Sequence, residues 1–276
     1  MKPSEEKPAI IALPKARRHT YYFLNYADEF KSVYLDTEID MSEVKRRRDK
    51  LKLSGHRISY IVFLIEAISR VIRLYPEANS SVKHGMIPQM AVYHRIAAKF
   101  TLDKTMDGRR FVMSGIIPDS DQMPLEGMQK MIEYYRDTEA DEITEFANVR
   151  KLQSMPLWLG RWIYRLAMGN LSRRAKLQGT FTITSLGHRP IQAFYPIISN
   201  TLCFGVGAIE DKPVVMAGQI AIRPMMKLSL AFDHRAIDGA LAADILTEVK
   251  KVLEFASESD EASTQGEEVT PVGAST

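Results

Sequence analysis

The segment Leu228 to Gly239, LSLAFDHRAIDG, does most to limit what this chain can fold into. An apolar run of strand-forming residues ends abruptly at Asp233–His234–Arg235, and a helix opens near Asp238–Gly239. A strand this apolar belongs inside a sheet, so its polar end falls at the sheet rim, where loops and helix starts gather. A histidine held at such a rim is well placed for proton transfer, because imidazole changes charge near neutral pH. Asp238, four residues on, either ties down the turn or sits near the N-terminal dipole of the next helix. Taken alone, the same residues also describe a strand–turn–helix junction whose polar groups only cap the helix.

The rest of the chain supplies partners for that strand. Tyr34 to Asp40 alternates as a strand, and Met41 to Lys52 follows as a charged helix. An amphipathic helix is predicted from Tyr60 to Leu74, with Ile61, Leu64, Ile65, Ile68 and Ile72 apolar, Ser59 as its N-cap and Pro76 at its end. Residues 88–103 read as one or two strands and Leu125 to Arg136 as a helix. Strand signals then crowd together: Gly179 to Ser185, Thr201 to Ala208, Val214 to Met216, Gln219 to Arg223 and Lys227 to Phe232, with a turn at Gly218–Gln219. A last helix runs from about Asp238 to Phe255, with Leu241, Ile245, Val249 and Val252 on one face. Helices and strands mix without a βαβ rhythm, which predicts one α+β domain with a mixed sheet over residues 15–256. Residues 1–14, with Pro3, Pro8 and Pro14, read as a mobile arm, and residues 257–276 as a disordered acidic tail.

Composition narrows the function classes. The single cysteine, Cys203, allows no intrachain disulfide and suits a reducing compartment. The opening MKPSEEKPAIIALPKARRH holds no apolar run of signal-peptide or membrane-span length, so the expected location is the cytoplasm. Setting aside the five acids of the tail (Glu258, Asp260, Glu261, Glu267, Glu268) takes the net charge from +3 to +8. A mildly basic body suits a phosphorylated cofactor or an acidic carrier protein as well as nucleic acid. The bases are not interleaved with aromatics along strands and no nucleic-acid motif is present, so nucleic acid is set aside. Cys203 lies in an apolar strand and reads as an inert core residue. His19, His56, His84, His94 and His188 have no paired ligand spacing, and no metal is expected.

One stretch is unusual. Phe146 to Gln178 carries seven bases (Arg150, Lys151, Arg161, Arg165, Arg173, Arg174, Lys176) and no acid. Trp158, Trp162 and Leu166 share one helical stripe there, flanked by Arg161 and Arg165. The preferred reading is an extra helix packed on the domain with its bases in solvent. The alternative is an interfacial helix over residues 156–176 that meets a membrane or a carrier protein.

The DHRAIDG segment is similar to the DHRxxDG signature of the acyltransferase components of 2-oxoacid dehydrogenase complexes, to which chloramphenicol acetyltransferase is related. Gly179 to Gly187 (GTFTITSLG) resembles that family's GTFTISNLG segment, and Phe194 to Ile209 (FYPIISNTLCFGVGAI) resembles its FTPIINPPQ…ILGVGAI segment. Tyr34 to Val44 (YLDTEIDMSEV) and Tyr75 to Val82 (YPEANSSV) match its first strand region and its P-E-x-N segment. The likeness covers roughly residues 15–256.

The resemblance implies a chloramphenicol acetyltransferase-like fold and a homotrimer or a multiple of trimers. It implies an acyltransferase that moves an acyl group between a thioester and a thiol such as coenzyme A. His234 would be the general base, worth ~10²–10⁴-fold in rate. Thr184 would donate to the oxyanion, whereas Ser185 points to the opposite strand face. Asp238 would fix the loop that carries His234 through an ion pair with Arg17 or Arg18. The chain carries no lipoyl domain, so a lipoyl or acyl carrier protein would act in trans; Asp103–Lys104 only echoes the lipoyl lysine motif.

Two departures qualify this. AKFTLDKTMDGRRFVMSGIIP (Ala98 to Pro118) replaces the family's A-V-x-T-P-x-G-L-x-x-P-V segment, and RRHTYYFLNYADEF replaces its Arg-rich helix before the first strand. Both regions line the family's thiol channel, so the donor and acceptor stay open. Rival readings are a non-catalytic trimeric scaffold core and an acyltransferase of secondary metabolism that uses a carrier-protein thioester with an amine or hydroxyl acceptor.

Overall fold

The computed structural model describes residues 9–106, 109–140 and 142–264. Its strands are β1 (Ser32–Asp40), β2 (Ser80–Lys83), β3 (Gln89–Val92), β4 (Ala98–Met106), β5 (Arg109–Ile117), β6 (Phe181–Ser185), β7 (Leu202–Met216) and β8 (Gln219–Asp233). Six of them form one mixed sheet in the order β1-β8-β7-β6-β4-β5, and β2 pairs with β3 in a separate hairpin. Within the large sheet β6 runs parallel to both β4 and β7, and the other neighbours are antiparallel. The helices are α1 (Lys15–Ala27), α2 (Ser42–Leu53), α3 (Tyr60–Leu74), α4 (Leu125–Asp137), α5 (Ala147–Ser154), α6 (Leu157–Gly169), α7 (Leu171–Gln178) and α8 (Gly239–Thr264).

The two faces of the sheet differ in chemistry because side chains alternate along each strand. Ala98, Phe100, Phe181, Ile183, Leu202, Phe204, Leu230 and Phe232 point one way and pack with α3 and α8 in the main core. Each Phe or Leu buried there contributes about 1.5–3 kcal/mol. The alternate positions are polar: Lys99 and Thr101 on β4, Thr182 and Thr184 on β6, Cys203 on β7 and Ser229 on β8. That second face is roofed by α1 and α6 through a smaller cluster of Tyr22, Tyr26, Phe30, Tyr164 and Met168, which also takes in Cys203 and Ala231, while α7 lines the cavity beside them.

The predicted α+β class and mixed sheet are present, and several elements differ in detail. The helix before the first strand forms even though its family motif is missing, because Tyr22 and Tyr26, one turn apart, bury against Tyr164 of α6. The segment after Lys104 does not read as strand, yet it forms β5. Gly115 sits mid-strand because a Cβ there would strike the rings of Phe100 and Tyr135. The four short strand signals after residue 201 merge into β7 and β8, each of 15 residues. Their turn lies at Ala217 and Gly218, both with positive φ (48° and 80°), one residue before the expected place. Ser59 holds the N-cap position of α3, but its hydroxyl donates to Gln129 Oε1 at 2.8 Å rather than capping the helix.

At the C-terminus the helix does not stop at Phe255. That residue breaks the helical dihedrals (φ −126°, ψ 21°), and helix resumes to Thr264 within the segment expected to be disordered. Residues 1–8 of the expected arm and 265–276 of the expected tail lie outside the described residues. The basic stretch folds as α5, α6 and α7. Trp158 and Trp162 are 73% and 60% exposed, whereas Arg174 is buried and donates to Met168 O and Val82 O, so not every base lies in solvent.

Candidate active site

β8 ends at Asp233, and the next residues turn out of the sheet with His234 exposed. The turn is clamped from below. Asp233 is fully buried; its carboxylate accepts from Arg235 Nε at 2.9 Å and Arg235 Nη2 at 2.7 Å, and from the backbone N–H of Arg235 and of Lys31. The His234 amide donates to Lys31 O at 2.9 Å, and its ring lies 5.7 Å from that of Phe232. The Arg235 guanidinium in turn lies over the Phe30 ring at 5.0 Å. The imidazole therefore stands on a fixed backbone with its ring edge open.

Asp238 has a different task from the ion pair expected of it. Its Oδ1 accepts from Leu241 N at 3.0 Å and its carbonyl from Ala242 N, so it caps the N-terminus of α8. Neither candidate arginine pairs with it among the described residues. Arg18 donates instead to Gln153 O and Met155 O at the end of α5, and Arg17 is exposed. What fixes the histidine turn is the neighbouring Asp233–Arg235 pair.

Thr184 lies on the polar face of β6, where its Oγ1 meets Thr101 Oγ1 at 2.6 Å. Both hydroxyls line a cavity of about 1650 Å³ between the sheet and the helices above it, with Phe23, Tyr164 and Met168 among its apolar walls. His234 does not line it. The strand register shows why. Phe232, Leu202 and Phe181 lie side by side on β8, β7 and β6. His234 lies two residues past that row, and Thr184 three residues past it in the opposite direction. The two are thus ~17 Å apart along the strands and two strand spacings, ~10 Å, apart across them. One chain does not bring them together.

The same cavity holds polar groups that motif reading passed over. Lys99, 6% exposed, donates to Gln178 Oε1 and to Ser199 Oγ at 3.4 Å, with the Phe23 ring 5.5 Å from its nitrogen. Burial pushes its pKa down to about 8. Burial and, second, the Lys99 charge pull the His19 imidazole down to about 4. Burial raises the Cys203 thiol to about 12, consistent with an unreactive residue. Thr182 donates to Asn200 Oδ1 at 2.6 Å beside them. The sequence signal was the alternation of Lys99 and Thr101 with apolar Ala98 and Phe100, which marks a strand with one polar, covered face.

Comparison with known proteins agrees with this architecture. Residues 148–259 match the family model of the 2-oxoacid dehydrogenases acyltransferase catalytic domain. The chain is 26% identical to the dihydrolipoyllysine-residue succinyltransferase component of the Haemophilus influenzae 2-oxoglutarate dehydrogenase complex, over 79% of this chain and 46% of that protein. It is 27% identical to the dihydrolipoyllysine-residue acetyltransferase component of the Staphylococcus epidermidis pyruvate dehydrogenase complex, over 80% of this chain and 45% of that one. The chain thus spans a little under half the length of these curated relatives. Among solved structures, a probable dihydrolipoamide acetyltransferase from Listeria monocytogenes superposes with a TM-score of 0.66 at 19% identity, covering 98% of this chain and all of that one. The cubic core of the pyruvate dehydrogenase multienzyme complex gives 0.68 at 21% identity, covering 93% of this chain and 95% of that one. The fold is thus that of these solved acyltransferase cores, and residues 148–259 are similar to the 2-oxoacid dehydrogenases acyltransferase catalytic domain.

Proposed function

We propose that the protein is an acyltransferase that exchanges an acyl group between a thioester and a thiol, with coenzyme A as one of the two thiols, at a site completed between copies of the chain in a trimer. The His234 imidazole removes the proton from the incoming thiol. The thiolate attacks the thioester carbonyl, forming a new carbon–sulfur bond and an oxyanion that accepts a hydrogen bond from Thr184. Collapse breaks the old carbon–sulfur bond, and the departing thiolate takes the proton back from the imidazolium. Nothing is oxidised or reduced, and the acyl group has moved.

The observation that carries this reading is the separation of His234 and Thr184 within one chain, together with the exposure of His234. A histidine on a braced turn that faces no group of its own cavity is half of a site. A neighbouring copy supplies the other half if its Thr101–Thr184 hydroxyl pair comes to face it. When Thr101 donates to Thr184, the Thr184 proton stays free for the oxyanion. A lipoyl or acyl carrier domain acting in trans is the second thiol in this reading.

The test is complementation. His234→Ala and Thr184→Ala should each lose ~10²-fold or more in turnover. Co-refolded mixed trimers should regain a sizeable fraction of activity, because some interfaces pair an intact His234 with an intact Thr184. Verified mixed trimers without any recovery would reject the shared site.

A further inference from the structure

We propose that the outward face of α6, together with the neighbouring β2–β3 hairpin, docks on a membrane surface that carries anionic headgroups. On α6 the buried residues Gly160, Tyr164 and Met168 recur every four positions and seat the helix on the domain. Trp158, Trp162 and Leu166 recur at the same interval, two positions out of step. Two positions are a rotation of about 200° on a helix, so this stripe faces away from the protein. The three side chains are 73%, 60% and 56% exposed. A single exposed apolar residue needs no explanation, but two tryptophans and a leucine in line do. With 13 residues α6 is too short to cross a bilayer, so it would lie along the surface.

A second apolar element stands beside the first. Residues 84–88 join β2 to β3, and Met86 and Ile87 in that link are exposed. The hairpin and α6 share a cleft of about 1010 Å³, lined from α6 by Trp162, Arg165 and Leu166 and from the hairpin by Lys83, Gln89 and Met90. Trp162 and Leu166 belong to both stripe and cleft, so the two are continuous. Arg174 also lines the cleft, and Glu29, 3.6 Å from Arg165, is the one acid among its lining residues. Arg161, one turn before Arg165, is exposed on the flank of the stripe. Over Phe146 to Gln178 seven bases stand with no acid. Tryptophans at headgroup depth with bases placed to meet phosphates suit an anionic bilayer. Two copies of this face would set like charges against each other, which disfavours self-pairing about a two-fold axis.

Both tryptophans of the chain lie on the stripe, so the emission of the intact protein reads this face alone. Vesicles of phosphatidylcholine and phosphatidylglycerol in equal parts should shift that emission to the blue and carry the protein down on sedimentation. Vesicles of phosphatidylcholine alone should bind at least ~10-fold more weakly, and Arg161→Gln with Arg165→Gln should weaken binding about 5-fold for each arginine removed. Trp158→Ser with Trp162→Ser should abolish sedimentation with either kind of vesicle, and circular dichroism checks that both double variants are folded. Absence of binding, equal binding to the two vesicle types, or binding that survives either double substitution overturns the proposal. So does a blue shift that grows with protein concentration without vesicles, since a second copy would then cover the stripe.

Discussion

Thr101 and Thr184 face each other across the parallel strands β4 and β6, hydroxyl to hydroxyl at 2.6 Å. Only one of the two can donate within the pair, so one proton remains for a third group. Thr101→Val should leave Thr184 free to turn and lower kcat by about 10-fold, less than the ~10²–10³-fold expected for loss of an oxyanion donor. KM should change little, and Thr101→Ser should restore the rate. An unchanged kcat in Thr101→Val would show that Thr101 does not orient its neighbour.

The two aspartates of the histidine turn should separate cleanly. Asp238→Ala removes a helix cap and should cost about 1 kcal/mol of stability, whereas Asp238→Asn keeps the cap and should stay near wild type. Arg235→Ala strips a fully buried Asp233 of its charge partner and should cost about 3–5 kcal/mol. Chemical denaturation of the three variants ranks them, and a larger loss in Asp238→Ala than in Arg235→Ala would contradict the structure.

Lys99 also leaves a mark on the dependence of stability on pH. Its folded pKa, about 8, lies below the ordinary 10.5. Between those values the unfolded chain holds a proton that the folded chain has released, so this group makes stability rise with pH there. Below about 8 both states are protonated and the burial penalty is at its full value. Lys99→Met should therefore melt higher than wild type at pH 7, and the gap should narrow as pH rises from 8 to 10.5. A gap that stays flat over that interval would show the ammonium to be as well solvated in the fold as in the unfolded chain.

α6 approaches α1 where Gly160 meets Tyr22, and a Cβ there would run into the tyrosine ring and hydroxyl. Gly160→Ala should destabilise by about 1–3 kcal/mol, because helix propensity gains less than overpacking costs. The paired variant Gly160→Ala with Tyr22→Phe should recover part of the loss if the contact is local. Thermal melts of the single and double variants read this directly.

The sheet was legible wherever alternation was regular, as in YLDTEID, and wherever apolar periodicity marked α3 and α8. β5 was hidden because its interior glycine answers to two rings distant in sequence, Phe100 and Tyr135. α1 was hidden because its buried face is tyrosine rather than aliphatic. His234, Thr184 and Asp238 were nominated by the resemblance to a family motif, but Asp238's contact was not legible, since a cap and an ion pair demand the same side chain. Lys99 carried no motif at all. Its meaning comes from the roof that α1 and α6 place over one strand face.

That roof has an evolutionary consequence. The aliphatic side of the sheet anchors the fold, while the hydroxyls, the thiol and the ammonium look into the cavity from the reverse side of the same strands. Because neighbouring residues on a strand point to opposite sides, a change at Lys99 or Thr182 need not disturb Ala98, Phe100 or Ile183. Selectivity can therefore drift by single substitutions while the scaffold stays intact, and α6 and α7 can be rebuilt to suit a new guest without re-threading the sheet.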